Sequence, residues 1–221
     1  ISLAFCLVFY TDLFYGIHLQ SNDFLYRTAD LSTGADADNK VIIVAIDDKS
    51  LEQLGNFSSW PRSFHAQLIA ELEKSGARVI VFDILFSEST ADDEGFATSI
   101  KQAGNVILPF ACNLEAPQSD TAGELISLES AIRPLPVFEQ GALALGFANM
   151  MPDEDGIVRR LPLVIKNGDA YEPALSLTAI AKYLRRPEII ESTPEDNYLS
   201  FAGRTIPLDN TNNMLINYAV G

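Results

Sequence analysis

Two short runs of β-branched apolar residues, Val41–Ile46 and Arg78–Phe82, each end abruptly in a carboxylate, at Asp47 and Asp83. The segment between them has helical periodicity and stops at Gly76. Near-continuous apolar strands separated by a helix are the pattern of parallel strands covered on both faces. In such sheets ligands gather beyond the carboxyl ends of the strands. The two aspartates are therefore expected at one functional edge.

The rest of the chain extends that α/β rhythm. Asp48 is expected to cap a short helix over Lys49–Leu54, with Gly55 as its stop. Pro61 suits the first position of a longer helix, whose inward face is Phe64, Leu68, Ile69 and Leu72. Asp92 or Thr90 is expected to cap a helix over Glu94–Ala103, and Val106–Leu108 reads as a third strand. Asn113–Ala131 has no period and reads as a surface excursion. Leu145–Asn149 and Ile157–Ile165 flank the turn Asp153–Gly156, a hairpin signal. Pro173 opens an apolar helix that stops at Arg185, Arg186 and Pro187. Thr205–Leu208 and Leu215–Tyr218 read as short strands around a turn-rich segment. The fold class expected is α/β: a mostly parallel sheet with flanking helices, extended by an antiparallel hairpin.

The first residues differ in character. Ile1–Tyr10 has a single polar residue, Ser2, and precedes a second apolar run containing Phe14 and Tyr15. Ten helical residues rise roughly 15 Å, half a hydrocarbon core. The pattern fits the outer end of a transmembrane helix with interfacial aromatic anchors. A stalk helix through Asp12–Leu31 and a linker at Gly34–Asn39 would follow. This gives residues 1–33 as membrane helix and stalk, and 39–221 as the folded domain. Because Ile1 is not an initiator residue, the sequence is expected to begin inside a longer protein.

Several segments taken in order resemble the type 2 CHASE domain, a sensory extracytoplasmic domain of bacterial cyclases and histidine kinases. They are IVAIDDKSL at 43–51, WPRSFHAQLIAEL at 60–72, GARVIVFDILFSE at 76–88 and AGNVILP at 103–109. GFANMMPDEDGIVRRLPL at 146–163, EPALSLTAIAKYL at 172–184 and LINYAVG at 215–221 complete the set. The resemblance implies a signal-input domain facing the periplasm or cell exterior on the bacterial inner membrane. It also implies more sensory domain after the last segment, then transmembrane helices and a cytoplasmic adenylate cyclase, histidine kinase or diguanylate cyclase. The partners expected are an extracytoplasmic small-molecule or protein stimulus, the membrane, and a second copy in a homodimer.

Charge agrees with a sensor better than with a nucleic-acid binder. A formal charge of −15 lacks the basic face that displaces counterions from phosphate. The two cysteines, Cys6 and Cys112, form neither a disulfide framework nor a metal-binding spacing. No Walker lysine motif, GxGxxG or GxSxG occurs, so no cofactor and no enzyme activity are expected of these residues.

A ligand pocket is expected at Asp47, Trp60, Arg62, Asp83 and Phe86, where the WPR helix start joins the two strand ends. A mixed aromatic and charged lining is usual for small-ligand sites. Arg62 either pairs with Asp47 or Asp83 through its planar fork, or receives an anionic ligand stacked on Trp60. The alternatives are a dimerising structural module without ligand, and a hydrolase holding a divalent ion at Asp47 and Asp83. Arg159 or Arg160 is expected to turn back onto the acidic turn Asp153–Gly156, and His65 to be simply packed or solvated.

Overall fold

The computed structural model describes residues 41–115, 125–153, 155–186, 197–216 and 218. Asp47–Leu215 is one compact unit, the body; the described residues 41–46, 216 and 218 fall in a second. The Ile1–Tyr10 and Asp12–Leu31 segments lie outside the described residues. Among the described residues no helix is long and apolar enough to cross a membrane.

In the body, α1 spans Asp48–Leu54, and a 3-10 turn over Phe57–Ser59 leads to α2, Arg62–Lys74. Next come β1 (Ile80–Val81), α3 (Asp93–Ala103) and β2 (Val106–Glu115). β3 (Ser127–Ile132), α4 (Pro136–Glu139) and β4 (Ala144–Phe147) follow. β5 (Arg160–Pro162), β6 (Val164–Asn167), β7 (Ala170–Pro173) and α5 (Leu175–Tyr183) continue the chain. It closes with β8 (Tyr198–Phe201), β9 (Arg204–Pro207) and β10 (Asn213–Leu215).

The main sheet has six strands and is mixed. The first half of β2 lies parallel between β1 and β4. Its second half pairs antiparallel with β3, with a register shift between Asn113 and Leu114. β3 meets β6 in parallel at one register, and β6–β7 is an antiparallel hairpin. Two antiparallel pairs stand apart, β5 with β10 and β8 with β9. Ala202 and Gly203 both have positive φ, the backbone that a two-residue hairpin turn needs.

Several expectations change. Val41–Ile46 forms no strand; its apolar side chains are exposed, and no ladder partner stands beside it among the described residues. Apolar character alone does not make a strand, because the ladder requires a neighbour. The turn at Asp153–Gly156 does close, with the Asp153 N–H donating to the Ile157 carbonyl at 2.9 Å. Its flanks do not pair with each other, however: β4 goes to β2 and β5 to β10. The end of the supposed excursion is strand β3. Thr205–Leu208 does form a strand, β9, paired with β8; the strand expected at Leu215–Tyr218 lies earlier instead, as β10 over Asn213–Leu215, paired with β5.

Two apolar clusters hold the body. One joins α2, β1, α3, α4 and the start of β2 through Ile69, Phe82, Phe86, Phe96, Ile100 and Phe138. The other joins the end of β2 to β6, α5 and β8 through Phe110, Phe147, Ile165, Leu177, Ala181 and Leu199. Each fully buried aromatic or aliphatic side chain stabilises the fold by roughly 1.5–3 kcal/mol. The first cluster carries the candidate site.

Candidate functional site

The first cluster is unusually aromatic. Phe86 meets Phe96 at 4.8 Å between centroids, Phe96 meets Phe138 at 5.1 Å, and both pairs are edge-to-face. His65, one turn into α2, packs into the same group, 5.1 Å from Phe86 and 5.8 Å from Phe96. It is buried. Burial pushes the imidazole below its ordinary pKa, and the nearby Arg62 charge adds to that.

Arg62 opens α2 and closes the top of this cluster. Its guanidinium lies 4.8 Å from the centroid of Phe86 and 5.9 Å from that of Phe138. Its Nε donates to Asp93 Oδ1 at 3.3 Å and an Nη donates to the Glu88 carbonyl at 2.8 Å. Both side chains of the Arg62–Asp93 pair are 13% exposed. Asp93 also accepts from the Thr90 N–H, the Thr90 hydroxyl and the Ser89 hydroxyl. Burial alone would raise the Asp93 carboxyl; these donors outweigh it and hold the group below the usual carboxylate range. One arginine thus fastens three stretches together: the start of α2, the 84–90 connection and the start of α3.

The expected site residues separate into different roles. Trp60 stands beside the latch, edge-on to Phe57 and Phe64, and its indole N–H donates to the Gly55 carbonyl at 3.0 Å. Asp47 caps α1: its carboxylate accepts from the Ser50 N–H at 2.9 Å and from the Ser50 hydroxyl at 2.6 Å. The hydroxyl bond above all, then the N–H bond, lowers its pKa. The cap is therefore Asp47 rather than Asp48. Asp83 is exposed and has no hydrogen bond or ion pair among the described residues. Phe86 has no exposed surface, so it serves as the floor under Arg62.

Arg62 takes a different partner from the one expected. Neither Asp47 nor Asp83 pairs with it; Asp93 does, 31 positions along the chain. Asp92 makes no capping bond, and the Thr90 N–H goes to Asp93 instead. The local signal for Asp93 is the Ser89–Thr90 pair three to four residues before it, whose donors reach a carboxylate at that spacing.

A second polar network lies away from the latch. Arg159 is buried and donates to Asp153 at 3.0 Å and to Asp155 at 2.8 Å. Arg160 pairs with Asp153 at 3.6 Å and with Asp209 at 3.3 Å. The side-chain bond from Arg159 is the main cause of a lowered Asp155 pKa. Both arginines, not one, thus turn onto the acidic loop and bind it to the turn before β10. Asn149 bridges to β2, accepting from the Cys112 N–H and donating to its carbonyl, both at 2.7 Å.

The family model of the CHASE2 domain matches residues 1–221. The chain belongs to the CHASE2 family. CHASE2 domains are extracytoplasmic sensory domains of membrane receptors and are not catalytic. No curated protein and no solved structure matches the chain.

Proposed function

We propose that this CHASE2 domain senses an extracytoplasmic stimulus through the loops fastened by Arg62 and passes the change to a cytoplasmic adenylate cyclase, histidine kinase or diguanylate cyclase. The stimulus is placed at Trp60 and Arg62, with Phe86 as the floor under the guanidinium, and with Asp47 and Asp83 as further contacts. Membrane attachment through the N-terminal helix, and pairing with a second copy, belong to the same proposal.

The observation that carries it is the convergence of three chain segments on one guanidinium. Sensing requires two states with different affinity for the stimulus. A single side chain with one ion pair, one carbonyl contact and two ring contacts gives those segments a common fastening. A ligand competing for Asp93 or for the Arg62 fork releases all three together.

Two measurements test this. Unfolding of the chain is followed through Trp60, its single tryptophan, against a panel of cations and metabolites. A ligand at about a hundred times its Kd stabilises the folded state by roughly 2.7 kcal/mol. In the intact receptor, Arg62→Ala is expected to shift basal output and abolish the response to that ligand, while the domain remains folded. Removing one member of a buried pair typically costs about 3–5 kcal/mol. Here the pair is only partly buried and Asp93 keeps its Ser89 and Thr90 donors, so the loss is expected below that range, at about 1–3 kcal/mol. If Arg62→Ala lowers stability yet leaves output and response as in wild type, Arg62 is only a structural clip and the proposal fails.

A further inference from the structure

Beneath the Arg62 latch lies a titratable group that the sensory reading does not use. We propose that His65 is a proton-binding site through which the domain reads external acidity, its protonation loosening the Arg62 fastening. This rests on the reading of the Arg62 cluster as the responsive site, and adds the proton as a stimulus.

The geometry is specific. His65 as a residue is 4% exposed, and its ring is flanked by Phe57 at 6.1 Å, Phe82 at 6.0 Å, Phe86 at 5.1 Å and Phe96 at 5.8 Å. It has no hydrogen-bond partner among the described residues. A neutral imidazole tolerates such a cage; an imidazolium brings a full charge that the surrounding rings do not balance.

Phe86 is the decisive neighbour, because it already carries the Arg62 guanidinium 4.8 Å from its centroid. Protonated His65 places a second cation against the same ring. Among the described residues no carboxylate is spare inside to offset it. Asp93, on α3, is engaged by Arg62, Ser89 and Thr90. The other acids on the elements packed around the ring are Asp83 and Glu88 on the connection after β1, and Asp92 and Glu94 at the start of α3, all exposed. On α4, Glu139 pairs with Arg133. On its own helix Arg62 is the near charge, and it is of like sign.

Relief therefore comes from movement. The ring must swing out toward water or toward the exposed carboxylates, withdrawing support from Phe57 and Phe86. Phe57 holds the turn before Trp60, and Phe86 is the surface on which Arg62 lies. Binding of one proton is thus coupled to release of the latch. The periplasm or cell exterior is a compartment whose pH follows the medium, so the stimulus reaches the site directly.

The test follows both the proton and the output. The chain has two histidines, His18 and His65; His18→Gln leaves one set of imidazole resonances to assign by NMR. The His65 midpoint is expected below the ordinary value of about 6.5, and the ring signals of Phe86 and Trp60 are expected to shift with it. In the intact receptor, stepping external pH from about 7.5 to about 5 brackets an unperturbed histidine. Wild-type output is expected to change on the order of fivefold or more, and His65→Phe is expected to lose that change. A His65 midpoint at or above the ordinary value overturns the proposal without needing any variant. Equal pH responses in wild type and His65→Phe overturn it too, while leaving the sensory reading intact. A wild-type receptor indifferent to pH rejects the proton as stimulus, and the ligand panel with Arg62→Ala then judges the sensory reading separately.

Discussion

Gly146, on β4, lies where the strand and α5 come closest, and Gly146→Ala is expected to separate them. A Cβ built there would stand 2.5 Å from the Leu175 Cα, 2.8 Å from the Leu175 nitrogen and 3.0 Å from the Thr178 hydroxyl. The two closest atoms are backbone, so no flexible side chain can yield. Restoring ordinary separation moves the first turn of α5 outward by about 1 Å, which forfeits roughly a quarter to a half of the dispersion attraction of every atom pair so parted. That turn includes Thr178, and Leu177 and Ala181 behind it are buried in the second core. Overpacking of this kind costs typically about 1–3 kcal/mol, and a clash against helix backbone belongs at the upper end, about 3 kcal/mol. For a chain of this size that lowers Tm by roughly 6–12 °C. Urea unfolding followed by circular dichroism measures it, with the m-value unchanged. A variant within about 0.5 kcal/mol of wild type, the usual range for a surface substitution, would refute the reasoning and show that α5 can retreat freely.

Other outcomes follow from the same kind of geometry. Among the described residues Arg159→Ala leaves the Asp153 side chain buried with the longer Arg160 contact and is expected to cost about 3 kcal/mol; a loss under about 1 kcal/mol in urea unfolding would place the pair among weak surface bridges. Acid unfolding should show two stages. His65 binds protons more readily in the unfolded chain, so its contribution is complete above 6.5 and erodes as pH falls below that value. Asp93 is held below 3.8 when folded, so its contribution persists until pH falls through that region; stability that rises between these two regions on acidification would contradict the assignment. Burial first, then the Glu172 charge, pushes the Cys112 thiol up to about 11. In a Cys6→Ser background it is expected to react with thiol reagents at neutral pH only as fast as the domain opens, which a denaturant series would show.

Local chemistry was readable from the residues themselves. α2, α3 and α5 follow from apolar spacing, and their ends from Gly76, Gly104 and the Arg185–Pro187 stop. The acidic turn with its returning arginines could be anticipated because the groups lie only four to seven positions apart. The β6–β7 hairpin also had a local signal, the Gly168-Asp169 pair between its two strands, with Gly168 at positive φ. Pairing was another matter. β3 carries so little apolar character that only its ladder to β2 identifies it, and β4 and β5 look like hairpin partners until each pairs elsewhere. Val41–Ile46 is apolar enough for a buried strand, but no residue property fixes which edge a strand joins. The Arg62 site shows the same division. The residues at its helix start could be named from sequence, yet the carboxylate that answers the guanidinium was decided by folding. Charge attraction reaches whatever acid the chain path brings within hydrogen-bonding range, and that path depends on how α2 and α3 pack around Phe86, Phe96 and Phe138. Sequence supplied the side chains and their short-range geometry; the aromatic core chose their partners.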